Sequence, residues 1–328
     1  MRHLFHLIQI LFFYTVRPLI GSLPNRRVRQ LAGIIGSCLY YVKRGRRCRA
    51  QLELELLFGQ RLPEHPTAVK NGFKLFVYNN FLSYCYHRMT AETIDEWIDL
   101  VNPDPIHAAL SRGRGAIIIL MHFGANQMAM PALGHRQYRI NQIGSRPEDW
   151  HRLTGIRPSF LETRLADLRF RSEKHLPAHF IYIDRSMLPV WKHLRRNEIV
   201  LMAADGRAGL KFLDVPFQNR IMSISQGPFR LAASTRCALL PAFCVFDPGT
   251  MRYRLEIESE IESDDLSDDK NRLHVMANRF AGRVSRRVMQ HPDHYCILMS
   301  EARLRARHDA TPLFKDYESM RSGGLPRE

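Results

Sequence analysis

The order of apolar runs predicts an α/β fold, a central and mostly parallel sheet flanked by helices, with an N-terminal membrane-anchoring helix ahead of it. Three observations carry this reading. The run AIIILM (116–121) leaves an Arg/Gly turn at 111–115 and is apolar throughout, as a strand buried on both faces must be. Similar runs recur downstream, separated by stretches with helical spacing, which is the alternation that covers a sheet on both sides. Ahead of all this, residues 3–20 read HLFHLIQILFFYTVRPLI and are apolar with few interruptions.

That first segment lacks a small-residue cleavage site, which disfavours a removed signal peptide. Its apolar span falls short of the roughly 20 residues of a bilayer crossing. A tilted anchor or an interfacial helix is therefore expected over 1–22, and a buried amphipathic helix is the alternative. Residues 23–110 then read as a helical, arginine-rich, membrane-proximal segment, with Arg26, Arg27, Arg29, Lys43, Arg44, Arg46, Arg47 and Arg49 in two clusters. Such clusters favour the cytoplasmic face of the inner membrane. The stretch 50–110 looks helical throughout, and NGFKLFVYNNFLSYCYHR (71–88) carries its apolar residues at core-helix spacing.

Residues 111–305 form the α/β unit. Strands are expected at Ala116–Met121, Tyr138–Ile143, His179–Ile183, Ile199–Ala204, Ala238–Phe246 and Tyr253–Ile257. Helices are expected at Asn126–Leu133, Phe160–Arg171, Leu188–Arg196, Gly227–Thr235 and Asp268–Gln290. An acidic loop, 258–270, precedes the last helix, and a basic tail closes the chain at 306–328.

Composition narrows the chemistry. Lys and Arg total 48 against 32 acids, a formal +16 at pH 7, and eight of the 48 are Lys. This excess points to an anionic partner: a phospholipid surface, a phosphorylated substrate, an acidic carrier protein or nucleic acid. Nucleic acid has only charge in its favour, since no zinc spacing or recognition-helix motif accompanies it. The six cysteines make no CxxC pair and suit reduced, buried positions. His135, His151, His179 and His193 are not spaced as a metal set, and no metal is expected.

The strongest chemical signal is His122-Phe123-Gly124-Ala125-Asn126-Gln127, directly after the buried strand. Open sheets bind ligands at such strand ends. Two residues five apart within one helix diverge by about 140°. With His122 before the helix and Gln127 one turn inside it, the side chains can meet, one holding the ring while its other nitrogen takes a proton.

HFGANQ resembles the H-x4-D/E block of the glycerolipid and lipid A acyltransferases, whose lipid A branch often reads H-x-G-N-W-E. Three further blocks agree in order: IGSRPE (143–148), IVLMAADGRAGLKFLDVPFQNR (199–220) and SQGPFRLAASTRCALLPAF (225–243). The resemblance covers roughly residues 1–305 and is to the lipid A biosynthesis acyltransferase family. It implies transfer of a fatty acyl group from an acyl carrier protein or coenzyme A thioester, as cosubstrate and with no cofactor, to a hydroxyl of a lipid or phosphoglycolipid. His122 would be the general base, and backbone N–H groups near Gly124–Asn126 would meet the oxyanion. Arg146, Arg207 and Lys211 would clamp acceptor phosphates.

One position departs from the family. Residue 127 is Gln where an acid is usual; an amide can fix the imidazole tautomer but cannot neutralise its positive charge. Asp205, at the end of IVLMAAD, would sit on the same rim as His122 if the strands are parallel neighbours, and could supply that charge. An Asp-Gly after a strand also serves as a turn cap. The departure leaves a second expectation open, a catalytically silent protein that keeps the fold and binds acyl chains or a carrier protein.

Overall fold

The computed structural model describes residues 14–144, 160–173, 175–182, 187–207, 209–262, 269–306, 309 and 311–317. Helix α1 is described over 14–22. It is followed by α2 (Asn25–Val42), α3 (Arg44–Phe58), α4 (His65–Cys85), β1 (Ile98–Val101), α5 (Asp104–Ser111), β2 (Ala116–Leu120), α6 (Ala129–Gly134) and β3 (Ile140–Gly144). Then come α7 (Phe160–Glu173), β4 (His179–Tyr182), α8 (Leu188–Arg195), β5 (Ile199–Ala203), β6 (Phe212–Phe217) and β7 (Arg220–Ser225). The chain closes with α9 (Gly227–Thr235), β8 (Ala238–Asp247), β9 (Arg252–Ile257), α10 (Asp269–Gln290) and α11 (Cys296–Arg305).

Seven strands form one sheet in the order β1-β9-β8-β2-β5-β3-β4. Strands β8, β2, β5, β3 and β4 run parallel, whereas β9 turns back antiparallel to β8 and pairs with β1 in parallel. Central β2 is buried at every position and splits its side chains between two cores. Ile117 and Ile119 pack in the core that holds Phe229 of α9 and Phe280 of α10. Ile118 and Leu120 pack in the opposite core with Val28 of α2, Phe81 of α4 and Leu133 of α6. Period-two alternation between two apolar environments is why this strand reads as an unbroken apolar run.

The arginine-rich helices are part of this packing. Helix α2 crosses α4 so closely that a Cβ at Gly36 would stand 2.5 Å from the Lys74 Cα, which reserves that position for glycine. Tyr78 of α4 stacks on Tyr253 of β9, ring centroids 5.7 Å apart.

Two stretches differ from expectation. The helical reading of 50–110 is interrupted by β1, four residues paired with β9 from Ile98↔Tyr253 to Val101↔Glu256. Four residues are too few to show a period, so only the partner strand reveals them. The stretch between Ala204 and Gly227, where neither strand nor helix was expected, contains the β6–β7 hairpin, closed by the pair Phe217↔Arg220 around Gln218, whose φ is +52°. Among the described residues no helix is long and apolar enough to cross a membrane. Residues 1–13, most of the expected anchor, lie outside the described residues.

Candidate active site

Because β2 and β5 are parallel neighbours, with Leu120 paired to Ala203, the residues after them emerge on one rim. His122 follows β2 and Asp205 follows β5. The His122 Nδ1 lies 2.7 Å from Asp205 Oδ1, and the His122 backbone N–H donates to the same carboxylate at 3.2 Å (Oδ1) and 3.0 Å (Oδ2). A third donor, the Tyr295 hydroxyl, reaches Oδ2 at 3.0 Å. The Asp205 side chain is 1% exposed, whereas that of His122 is 45% exposed. An ionised Asp205 makes Nδ1–H the donor, which leaves Nε2 as the ring's free lone pair.

The electrostatics follow from this arrangement. The Asp205 charge raises the His122 pKa above its usual 6.5, outweighing burial and the repulsion of Arg305 and Arg207. Burial alone would push the Asp205 carboxyl up, but the His122 charge and the hydrogen bonds from its ring and backbone hold it below the usual carboxylate range. Burial keeps the Tyr295 phenol far from ionising, so it remains a neutral donor.

The turn after His122 is fixed by packing. Phe123 is buried against His294, with ring centroids 5.1 Å apart, and against Phe243 at 5.9 Å. Gly124 has φ +59°, and a Cβ there would stand 2.0 Å from the Cys244 carbonyl oxygen, so only glycine fits. Its N–H donates to the His294 carbonyl at 3.0 Å, and its C=O accepts from Asn79 Nδ2 at 2.9 Å.

Several expected roles change. Gln127 accepts from the buried Tyr86 hydroxyl at 3.0 Å, while the His122 ring is held by Asp205. A short 3-10 turn at Asn126–Met128 follows His122 instead of a full helical turn, so position 127 does not rotate back toward the ring. The Gly124 N–H is spent on His294 and is not free for an oxyanion. Arg207 is no phosphate clamp: Nε donates to the Asp205 carbonyl at 3.1 Å, Nη1 to Thr311 and Pro312 at 3.1 and 3.2 Å, and Nη2 to Ser223 at 2.7 Å. Its planar face lies over Phe212, 4.6 Å from the centroid, so it fastens the segment 311–312 and the hairpin to the Asp205 turn. Lys211 is exposed, Asn126 is partly buried, and Arg146 lies outside the described residues.

Two contributors carried no signal in the sequence. Tyr295 lies ninety residues beyond Asp205 in a stretch without a motif, and only the fold brings its hydroxyl to the carboxylate. Arg305, exposed at the end of α11, adds positive potential at His122. The set His291, Asp293 and His294 has the proximity of a metal cluster. Its buried member is already committed, however: His294 Nε2 accepts from the Phe246 N–H at 2.8 Å and Nδ1 meets Asp293 Oδ1 at 2.8 Å. A cavity of about 630 Å³ is lined by Asn102, Glu256, Glu258, Arg283 and Arg287, and neither His122 nor Asp205 lines it.

A half-exposed histidine on a buried carboxylate, at the end of a parallel strand, agrees with what comparison with known proteins finds: the model for "Bacterial lipid A biosynthesis acyltransferase" matches residues 1–303. The chain belongs to that family. The family places it among acyltransferases. It is also 24% identical over 219 residues to a phosphatidylinositol mannoside acyltransferase of Mycobacterium tuberculosis, covering 66% of this chain and 62% of that protein. A protein of the same name from Mycolicibacterium smegmatis is 24% identical over 196 residues, 58% of this chain and 59% of that protein. The aligned part thus spans less than two thirds of these relatives. Five residues after the histidine stands Gln127, and the acid on the ring is Asp205.

Proposed function

We propose that this chain transfers a fatty acyl group from an acyl carrier protein or coenzyme A thioester to a hydroxyl of a lipid or phosphoglycolipid, at the cytoplasmic face of the inner membrane. The observation that carries the chemistry is the His122 Nδ1–Asp205 contact of 2.7 Å beneath a half-exposed ring. Nε2 of His122 takes the proton of the acceptor O–H while the oxygen attacks the thioester carbonyl carbon. A C–O bond forms and the carbonyl becomes an oxyanion. When the oxyanion collapses, the C–S bond breaks and the imidazolium returns its proton to the leaving thiolate. Asp205 stabilises the imidazolium throughout, the role of the acid in a catalytic triad. Tyr295 and the His122 backbone N–H keep the carboxylate in position. Arg305 and Arg146 supply positive charge for acceptor or donor phosphates.

A glycosylated phospholipid acceptor fits the names of the relatives, which are mannoside acyltransferases. The silent-protein alternative drew its support from Gln127, and that support weakens because Asp205 supplies the missing charge. The test is acyl transfer from acylated carrier protein and from acyl coenzyme A to phosphoglycolipid acceptors, with wild-type protein and His122→Ala. Transfer that disappears in the variant is the expected result. Equal transfer in both rejects His122 as base, and transfer in neither favours the silent reading.

A further inference from the structure

Net charge is not spread evenly along this chain. The first 52 residues hold ten of the Lys and Arg residues and no Asp or Glu. Within that stretch, α2 has two unlike faces. Val28, Ala32 and Gly36 are buried, on the side where α2 crosses α4 at Gly36. On the opposite side Ile34 is 64% exposed, Tyr41 63% and Val42 74%, and Cys38 lies exposed between them. Positions 34, 38 and 41 are spaced by four and three residues, so they form one apolar line along the helix. Exposed cations stand at both ends of that line, Arg26 and Arg27 at one and Lys43 and Arg44 at the other. In the neighbouring α1, Leu19 is exposed as well.

We propose that α2 is an in-plane membrane-docking helix, its Ile34–Cys38–Tyr41–Val42 face entering an anionic lipid surface and its terminal cations meeting lipid phosphates. This deepens the membrane location proposed above and rests on that reading, but it does not require residues 1–13. The occupant follows from the pairing of chemistries. Aliphatic and aromatic side chains bracketed by Arg and Lys suit the boundary between headgroups and acyl chains, where apolar burial and electrostatic attraction add. Nucleic acid would use the cations but leave the apolar line wet. A second copy of this face would bring like charges together.

The experiment uses the full chain with an environment-sensitive fluorophore on Cys38, in a Cys48→Ser background; the other four cysteines are buried. A control carries the fluorophore at Asn278→Cys, an exposed position on α10, with Cys38→Ser and Cys48→Ser. Vesicles of phosphatidylcholine with added phosphatidylglycerol should shift the Cys38 emission to the blue and brighten it several-fold, less so at high salt. The Asn278→Cys label should not respond, and Ile34→Asp with Tyr41→Asp should weaken vesicle sedimentation. Sedimentation with an unchanged Cys38 signal overturns the proposal while leaving the membrane location standing. No sedimentation overturns both. A Cys38 signal already shielded without vesicles, or one that responds to an acidic protein or nucleic acid but not to lipid, also overturns it.

Discussion

Among the described residues, two of the buried carboxylates, Glu53 and Asp205, are built on similar lines, and their difference locates the chemistry. Glu53 of α3 is 0% exposed and takes hydrogen bonds from Arg220 Nη1 at 2.6 Å, the Tyr317 hydroxyl at 2.6 Å and Arg303 Nε. Asp205 takes hydrogen bonds from the His122 ring and backbone and from the Tyr295 hydroxyl. Each carboxylate has a buried tyrosine as one donor. The other partners decide the outcome. Arginine does not lose its proton in the physiological range, and Arg220 is sealed between Phe314 and Tyr317, so the Glu53 cluster ties α3, β7, α11 and the segment 311–317 together without changing charge. Histidine can lose its proton, and the His122 ring is open on one side, so the Asp205 cluster can move one.

Five variants and the pH profile of the wild-type protein test this difference. His122→Ala should lower kcat/KM for acyl transfer by about 10³-fold, within the range for loss of a general base, with little change in denaturation midpoint. Glu53→Gln should do the reverse: a loss of about 3 kcal/mol or more in urea unfolding, because two arginines lose their buried counter-charge, with near-normal kcat per folded molecule. A large drop in kcat without loss of stability would erase the distinction between the clusters.

Smaller effects test the Asp205 side. The raised His122 pKa means the base form dominates only above pH 6.5, so the acid limb of kcat/KM should lie above that value. Asp205→Asn removes the charge that holds the proton, and the limb should move down while kcat falls about 10²-fold. Tyr295→Phe removes a donor that shares the carboxylate's charge. The imidazolium is then held more firmly, so the limb should move up, with a loss of about tenfold in kcat and an unchanged KM. A Tyr295→Phe profile that overlays the wild type would make that hydroxyl merely structural. Gln127→Glu should have the smallest effect, about threefold or less in kcat, since residue 127 bonds Tyr86 and not the catalytic ring.

The parallel strands were legible because burial on both faces forces an apolar run; the expected strand at Ala238–Phe246, for instance, extends in the structure to Asp247. β1 was not legible, since its pairing with β9 is specified by the partner and not by four residues of its own. Among the site residues, His122 and Asp205 could be found because each ends a recognisable strand. Tyr295 could not, because a tyrosine among apolar residues looks like core until its hydroxyl meets a carboxylate.

The alternation of strands and helices, the concentration of cations ahead of residue 53, and a histidine and an aspartate at the ends of two buried strands can all be read from the amino-acid sequence. These are properties of local period and composition, which any chain segment displays without its neighbours. Tertiary structure alone decided which acid holds the imidazole. A spacing of five along the chain suggested Gln127, but a parallel pairing of β2 with β5 set a residue 83 positions away against the ring. Distance along a chain constrains side chains only within one element; between elements, strand order and register choose the partner.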